Sequence, residues 1–470
     1  MHEKCGVVGI AHADEAVARS LYDTLYALQH RGQEAAGIVT HDGFQQHEHI
    51  SLGLVGDAFE ADDLERLQGS TGIGHVRYPT DGSLDRSCAQ PFTVSFKSGA
   101  LALSHNGNLV NADARRSALA EQGHTFTSTG DTEVIAHELA GQLLTHDLVE
   151  AIELTMANVH GSYSLTIMHD ERVMGLRDPL GNRPLCLGRV DDGYILASES
   201  VAFDTLGGEL IREVRPGELI ILDADGSGYT SHQLVEAPNT AHCFFEWIYF
   251  ARPDSVIEDR LVYEMRRELG RKLWEESGVE TDVVVPVPDS GRAFAGGYAE
   301  TADNVEFAEG LMKNRYVGRT FIMPTQAQRE RAVRAKLNPI KSTVEDKTVT
   351  LIDDSIVRGT TSRQLVQILR EAGATEVHLR IGSPPITSPC YMGIDMATRD
   401  ELIAHGRTID EIETEIEADS LAYLSPESIA DALSFAFDDL CMACVTGKYP
   451  YEIEGEEMDR PAADAIAPSD

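Results

Sequence analysis

The strongest chemical signal in this chain is the run from Val349 to Ser362. An apolar stretch, Val349-Thr350-Leu351-Ile352, ends in two adjacent carboxylates, Asp353 and Asp354. A loop carrying Ser355, Arg358, Gly359, Thr360, Thr361 and Ser362 follows, and then a helical pattern begins. A loop that opens a helix presents free N–H groups suited to a phosphate. Gly359 lets the backbone approach that phosphate, and the Thr and Ser hydroxyls add donors. The two carboxylates offer hard oxygen acceptors for sugar hydroxyls and a hydrated Mg²⁺. An acidic pair after a strand is common, but a capping turn does not account for the whole run.

A second set begins at Cys5, inside the apolar segment Cys5-Gly6-Val7-Val8-Gly9-Ile10. A lone strand cysteine is usually a small buried hydrophobe. Its company argues otherwise. Leu28 to Glu34 contains Arg31, Gly74 to Tyr78 contains Arg77, Ser104 to Asn108 contains Asn106 and Gly107, and Gly130 to Glu133 contains Asp131. A third set is cysteine itself: Cys5, Cys88, Cys186, Cys243, Cys390, Cys441 and Cys444. In a large chain this pattern suggests metal or catalytic use rather than disulfides. Cys441-x-x-Cys444 lacks the βα context of a redox pair. With Cys243 and Cys390 it could bind zinc or an iron–sulfur cluster. Cys88 and Cys186 are expected to be buried hydrophobes. His47 and His49 fall on one face of a strand, and a solvated hairpin accounts for them better than a metal.

These residues need elements to hold them. In the first half, Cys5 to Ala11, Gly99 to Val110 and Ser162 to Met168 read as strands, and Tyr194 to Ser200 as a strand end. Glu15 to His30, Glu133 to Leu144 and Leu148 to Val159 read as helices. This is a layered α+β pattern. From about Ala241 the order changes to strand, helix, strand. Leu261 to Glu276 is helical, Val283 to Pro288 and Thr348 to Ile352 are buried strands, and Val377 to Ile381 is a third. A helix with Leu365, Val366 and Leu369 inward lies between the last two. That order indicates a parallel α/β sheet, with the phosphate loop at the carboxyl ends of its strands.

At 470 residues two domains are expected. An apolar content of 42% fits a globular chain rather than a disordered one. No long apolar run predicts a membrane span, and Met1 to Lys4 is too polar for a signal peptide, so a cytoplasmic location is expected. The net charge of −38 argues against non-specific nucleic-acid binding. It is read as halophilic adaptation, because high salt screens an acidic surface from itself.

The first motif resembles the phosphoribosyl-pyrophosphate (PRPP) loop of type I phosphoribosyltransferases. The Cys5 set, in its order, resembles the glutaminase domain of class II amidotransferases, which have the four-layer αββα N-terminal nucleophile hydrolase fold. Together they resemble the amidophosphoribosyltransferase family, in its iron–sulfur branch. The resemblance covers nearly the whole chain and implies the following. Residues 1–4 are a propeptide whose removal frees the Cys5 α-amine, 5–235 form the glutaminase domain, and 236–453 form the transferase domain with the cluster segment. Residues 454–470 are expected to be a disordered acidic tail. Cys5 is the nucleophile. Asn106 and Gly107 form the oxyanion hole, and Arg31, Arg77 and Asp131 bind glutamine. Asp353 to Ser355, Arg358 to Ser362, Lys313 and Arg315 bind PRPP, the last two opening a mobile, Arg-rich lid that runs to about Arg334. Ser290, Asp353 and Asp354 hold one Mg²⁺ per subunit. Cys243, Cys390, Cys441 and Cys444 hold one [4Fe–4S] cluster per subunit. The implied reaction makes 5-phosphoribosylamine from glutamine and PRPP, the committed step of purine synthesis. Purine nucleotides are the implied feedback inhibitors, and a homotetramer the implied assembly. Two other classes share one half each. A glutaminase fused to a sugar-phosphate isomerase would lack the PRPP loop. A PRPP-sensing regulator would need neither Cys5, Arg77 nor Asp131.

Overall fold

The strand β1 (Gly6–His12) is buried along nearly its whole length, because it lies inside a sheet covered on both faces. The computed structural model describes residues 5–13, 16–78, 86–302, 305–314, 337–394, 396, 398–453 and 456–458. The strands that follow are β2 (Ala35–His41), β3 (Gln46–Leu52), β4 (Thr71–Arg77), β5 (Phe92–Phe96) and β6 (Gly99–Leu109). Next come β7 (Gly161–His169), β8 (Arg172–Arg177), β9 (Cys186–Val190), β10 (Gly193–Ala197), β11 (Glu209–Glu213), β12 (Glu218–Leu222) and β13 (Tyr229–Gln233). One antiparallel sheet has the order β11-β9-β10-β1-β4-β2-β3, and the other β13-β12-β8-β7-β6-β5.

The two-residue period of β1 explains the layers. Val7 and Ala11 point between the sheets, with Ile73, Ala102, Met168 and Leu196. Val8 and Ile10 point outward against Leu21 and Leu25 of the helix Ala18–Ala27. On the far side, the helices Asp131–Gln142 and Leu148–Asn158 cover Leu103, Leu165 and Ile167. The result is the αββα order. The first long helix is shorter than expected, because Leu28 already closes it. The helix expected from Glu133 starts at Asp131, which places that carboxylate in its first turn. The His47/His49 segment is the outer strand of a hairpin, with His47 beside Asp42 and His49 beside Asp63.

The second half contains a five-stranded parallel sheet. Its order is Glu306–Phe307, Val283–Pro286, Thr348–Asp353, Glu376–Ile381, Ser420–Tyr423. The chain leaves Val283–Pro286 toward one edge and resumes at Thr348–Asp353 on the other side. Those two neighbours therefore form a topological switch point, where open α/β sheets bind ligands. The helix Thr360–Glu371 buries Leu365, Val366, Ile368 and Leu369 against the sheet.

The acidic tail departs from expectation. Glu457–Met458 pairs in parallel with Lys448–Tyr449. Glu456 is gripped by both guanidinium nitrogens of Arg399 and by the Tyr391 hydroxyl. A bidentate Arg partner explains why this stretch is ordered. Residues 1–4, read as a propeptide, residues 315–334 of the expected lid, and residues 454–455 and 459–470 of the expected tail lie outside the described residues. Among the described residues no helix is long and apolar enough to cross a membrane.

Candidate active site

Cys5 precedes β1 directly, and Arg77 ends the neighbouring β4. Their register, Gly6 opposite Val76, sets the two side by side. Both line a cavity of about 500 Å³ with Tyr78, Gly107, Asp131 and Glu133. The Cys5 thiol donates to the Tyr78 carbonyl at 3.8 Å. Burial pushes the thiol above its ordinary range, and the pull of Arg77 does not reverse this. The resting group is a neutral thiol that needs a base before it can attack.

Asn106 and Gly107 lie on β6. Asn106 is 1% exposed, and its side-chain nitrogen finds no acceptor among the described residues. It is an unpaired buried donor on the strand that brings His105, Gly107 and Asn108 to the cavity, although Asn106 itself does not line it. Gly107 cannot be larger, since a Cβ there would lie 1.9 Å from the Ser162 carbonyl oxygen. Burial pushes the Asp131 carboxyl up, but His105 and the N–H groups of Leu109 and Thr132 hold it below its usual range. It stays an anion able to meet an ammonium group.

Two features of this cavity escaped the sequence. Glu133 accepts hydrogen bonds from the N–H and hydroxyl of both Thr127 and Ser128, at 2.7 to 3.0 Å, and so fixes a lining loop. The far wall comes from the second half of the chain: Cys390, Tyr391, Gly393, Ile394 and Met396. Cys88 also lines the cavity half-buried, so the buried-hydrophobe expectation fails for it; Cys186 is 1% exposed, as expected.

Arg31 requires a correction. It does not line the cavity. It is 1% exposed and locked between carboxylates, with Nε donating to Glu199 and Nη2 to Glu246 at 2.6 Å. Two buried counter-charges hold it in the core, so it is not available to glutamine. The spacing of its motif could not reveal those distant partners.

The second site lies at the switch point. Gly359 starts the helix Thr360–Glu371 in the left-handed region, at φ 74°. The first turn has no side-chain cap and no acidic residue. A helix start of this kind, with no acidic residue in its own first turn, favours an anion. Asp353 and Asp354 end the central strand. Both Asp354 oxygens accept hydroxyl bonds, one from Ser290 and one from Ser355 at 2.6 Å. Burial first, and then the neighbouring Asp354, push the Asp353 carboxyl well above the usual range. Adjacent like charges favour keeping a proton on one of the pair. Ser290 directly precedes the helix Gly291–Thr301 without capping it, its hydroxyl being given to Asp354, and Lys313 pairs with Asp289 at 2.8 Å just beside it. Arg358 pairs with Glu401, Thr360 and Thr361 are exposed, and Ser362 is buried.

The four cysteines of the third set converge. Cys243 and Cys441 are register partners in a short parallel pair, and the Cys444 carbonyl accepts the N–H groups of Thr387 and Ser388. Burial raises all four thiols, Cys441 to about 12. At Cys444 the other three add to that rise, so the four share one neighbourhood. The fully buried Arg183 opposes the rise at Cys243, Cys390 and Cys441. Among the described residues no three His, Cys, Asp or Glu side chains are close enough to hold a single metal ion.

Comparison with known proteins agrees with this division. Residues 77–205 match the family model described as glutamine amidotransferase domain. The chain is 49% identical to the amidophosphoribosyltransferase of Archaeoglobus fulgidus, over 97% of this chain and 100% of that one. It is 46% identical to that of Bacillus subtilis, over 96% and 95%. The solved glutamine PRPP amidotransferase from B. subtilis, complexed with ADP and GMP, superposes with a TM-score of 0.89 at 45% identity, covering 96% of this chain and 98% of that one. A second solved structure, described as the allosteric regulatory enzyme of purine biosynthesis, gives 0.90 at 45% identity, covering 96% and 97%.

Proposed function

The chain belongs to the amidophosphoribosyltransferase family, and from that premise we propose how its residues divide the work. The enzyme moves the amide nitrogen of glutamine to C1 of PRPP, giving 5-phosphoribosylamine, glutamate and pyrophosphate. This is the committed step of de novo purine synthesis.

The glutaminase half is residues 5–235. Removal of residues 1–4 frees the Cys5 α-amine, whose ordinary pKa near 8 suits a base at neutral pH. The amine takes the thiol proton, and the sulfur attacks the amide carbon. The oxyanion is met by the Asn106 side-chain N–H and the Gly107 N–H. Arg77 holds the substrate α-carboxylate in a fork and Asp131 its α-ammonium. Ammonia leaves, and water then cleaves the thioester to glutamate. The observation that carries this reading is the convergence of Cys5, Arg77, Gly107 and Asp131 on one cavity.

The transferase half is residues 236–453. The uncapped first turn after Gly359, with Ser355, Arg358, Thr360, Thr361 and Ser362, receives the 5′-phosphate. Asp353 and Asp354 receive the ribose hydroxyls. Ser290, Asp353 and Asp354 would hold one Mg²⁺, which supplies charge neutralisation for the departing pyrophosphate. Lys313 stands at the mouth of this crevice and Arg315 follows it as part of the lid.

The donor set of Cys243, Cys390, Cys441 and Cys444 suits a [4Fe–4S] cluster. The four thiols would each ligate one of the four irons, one thiolate per iron. Buried Arg183 would offset part of the cluster's negative charge. The cluster's contribution is structural, joining three distant segments of the chain. The remaining readings are feedback by purine nucleotides, a homotetramer, a cytoplasmic location and a surface adapted to high salt.

The test is a coupled assay on purified protein. Glutamate and pyrophosphate should appear in equal amounts, each requiring both glutamine and PRPP. Glutamate release indifferent to PRPP, with no pyrophosphate, would favour a plain glutaminase and overturn the reading.

A further inference from the structure

The glutamine cavity is not built by the first domain alone, and the contact falls on the oxyanion strand. Gly107 is squeezed from two sides. On one side is the Ser162 carbonyl of its own sheet. On the other is Gly393: a Cβ at Gly393 would lie 2.8 Å from both the carbonyl carbon and the oxygen of Gly107. Gly393 sits at φ 91°, a conformation that side chains disfavour, so glycine is required there twice over. Its segment is anchored by three donors from the first domain. Asn108 donates from Nδ2 to the Tyr391 carbonyl at 3.0 Å, and Ser162 donates from Oγ to the Met392 carbonyl at 2.8 Å. The fully buried Arg183 donates to the same Met392 carbonyl. Two of those three anchors, Asn108 and Ser162, are register partners on β6 and β7, one residue beyond Gly107.

From this geometry we infer that the Tyr391–Ile394 segment of the transferase domain is a positioning element for the glutaminase oxyanion hole. It holds the Gly107–Asn108 peptide in place, and through the shared Gly107 Cα it sets the adjoining Asn106–Gly107 peptide, whose Gly107 N–H faces the developing negative charge. An oxyanion hole acts only when its donors are set in advance, and displacements of under an ångström matter. The first domain therefore carries the reactive groups, while the second fixes one of them. The inference rests on the proposed assignment of this cavity as the glutaminase site.

Gly393→Ala tests it in the full chain. The added methyl should push the Gly107 peptide and lower kcat for glutamine hydrolysis by about 10- to 100-fold, approaching the loss of one oxyanion donor. Binding of glutamate, which develops no oxyanion, should stay within about twofold, as should ammonia-dependent synthesis. Asn108→Ala removes one anchor without crowding and should give a smaller fall of the same kind, about threefold to tenfold. It decides the matter if the first variant does not fold. An unchanged kcat in both variants would overturn the inference. So would a parallel loss of glutamate binding or of ammonia-dependent synthesis, since either marks a merely structural contact. Cys5→Ala, run alongside, separates the two levels: if it keeps glutamine hydrolysis, the site assignment itself is wrong.

Discussion

The two sites face opposite electrostatic problems. At Cys5 the cavity sets a neutral thiol beside the Arg77 guanidinium, and the strand that lines it carries Asn106 with an unpaired side-chain donor. At the phosphate crevice two carboxylates are pressed together, and burial with mutual repulsion pushes Asp353 toward its protonated form. On the proposed reading the first site is completed by an anion that forms in it, and the second by a cation that accompanies its substrate. Chemistry at the first should thus be abolished by removing one atom, while the second should degrade by steps as its charge is trimmed.

The sharpest break of that contrast is Cys5→Ser. Glutamine-dependent turnover should fall by about 10³-fold or more, since the nucleophile is lost. Ammonia-dependent synthesis should be nearly untouched, and loss of both in a folded protein would show that the sites are not separate. N-terminal sequencing of active wild-type protein should begin at Cys5. A protein active while still starting at Met1 would remove the α-amine as base. Asp354→Asn should come next, lowering glutamine- and ammonia-dependent synthesis alike by about 10- to 100-fold, through weaker Mg²⁺-PRPP binding. Unchanged PRPP affinity would reduce Asp354 to an anchor for Ser290 and Ser355.

Cys441→Ser addresses what the sites share, because the cysteine cluster lies behind the cavity wall that Cys390 contributes. Anaerobic wild-type protein should hold about four irons and four sulfides per chain. The variant should lose them, with folded yield falling severalfold. Zinc in place of iron in anaerobic protein would end the cluster assignment.

The smallest effect concerns a buried carboxyl outside both sites. Burial, and then the charge of Glu258, push Glu213 up to about 8 from an ordinary 4.5. Its proton is therefore held more tightly in the folded state. The resulting stability is fully present below about pH 4.5 and is lost as pH rises toward about 8. Glu213→Gln should flatten this loss, raising Tm relative to wild type by about 2 °C at pH 8.5 and by less at pH 6. An equal offset at both pH values would show that Glu213 does not titrate there.

The strand–loop–helix from Val349 to Ser362 was legible because it is contiguous: strand, carboxylates, glycine and helix start stand in one run, and local rules suffice. Periodicity made a layered α+β pattern legible, while the αββα order came from the resemblance; the split of Val7 and Val8 between opposite cores appears only in the folded chain. What stayed hidden depends on residues far apart in sequence. Arg31 reads like a substrate ligand until Glu199 and Glu246 close on it. The wall from Cys390 to Met396 carries no local mark of its second role. The ordered tail at Glu456 depends on Arg399, whose position only the folded chain reveals.

The buried lattice of Arg31, Glu199, Glu246 and Arg183 limits how this protein can be taken apart. Arg31, Arg183 and Glu199 come from the first domain, but Glu246 comes from the helix that follows the connection. A fragment ending at residue 235 would keep both cations in its interior with only one of their two carboxylates. An uncompensated buried charge is costly. A free-standing glutaminase could not be excised here by truncation alone. Recombination that swapped either half with an unrelated partner would have to carry the matching carboxylate across the joint.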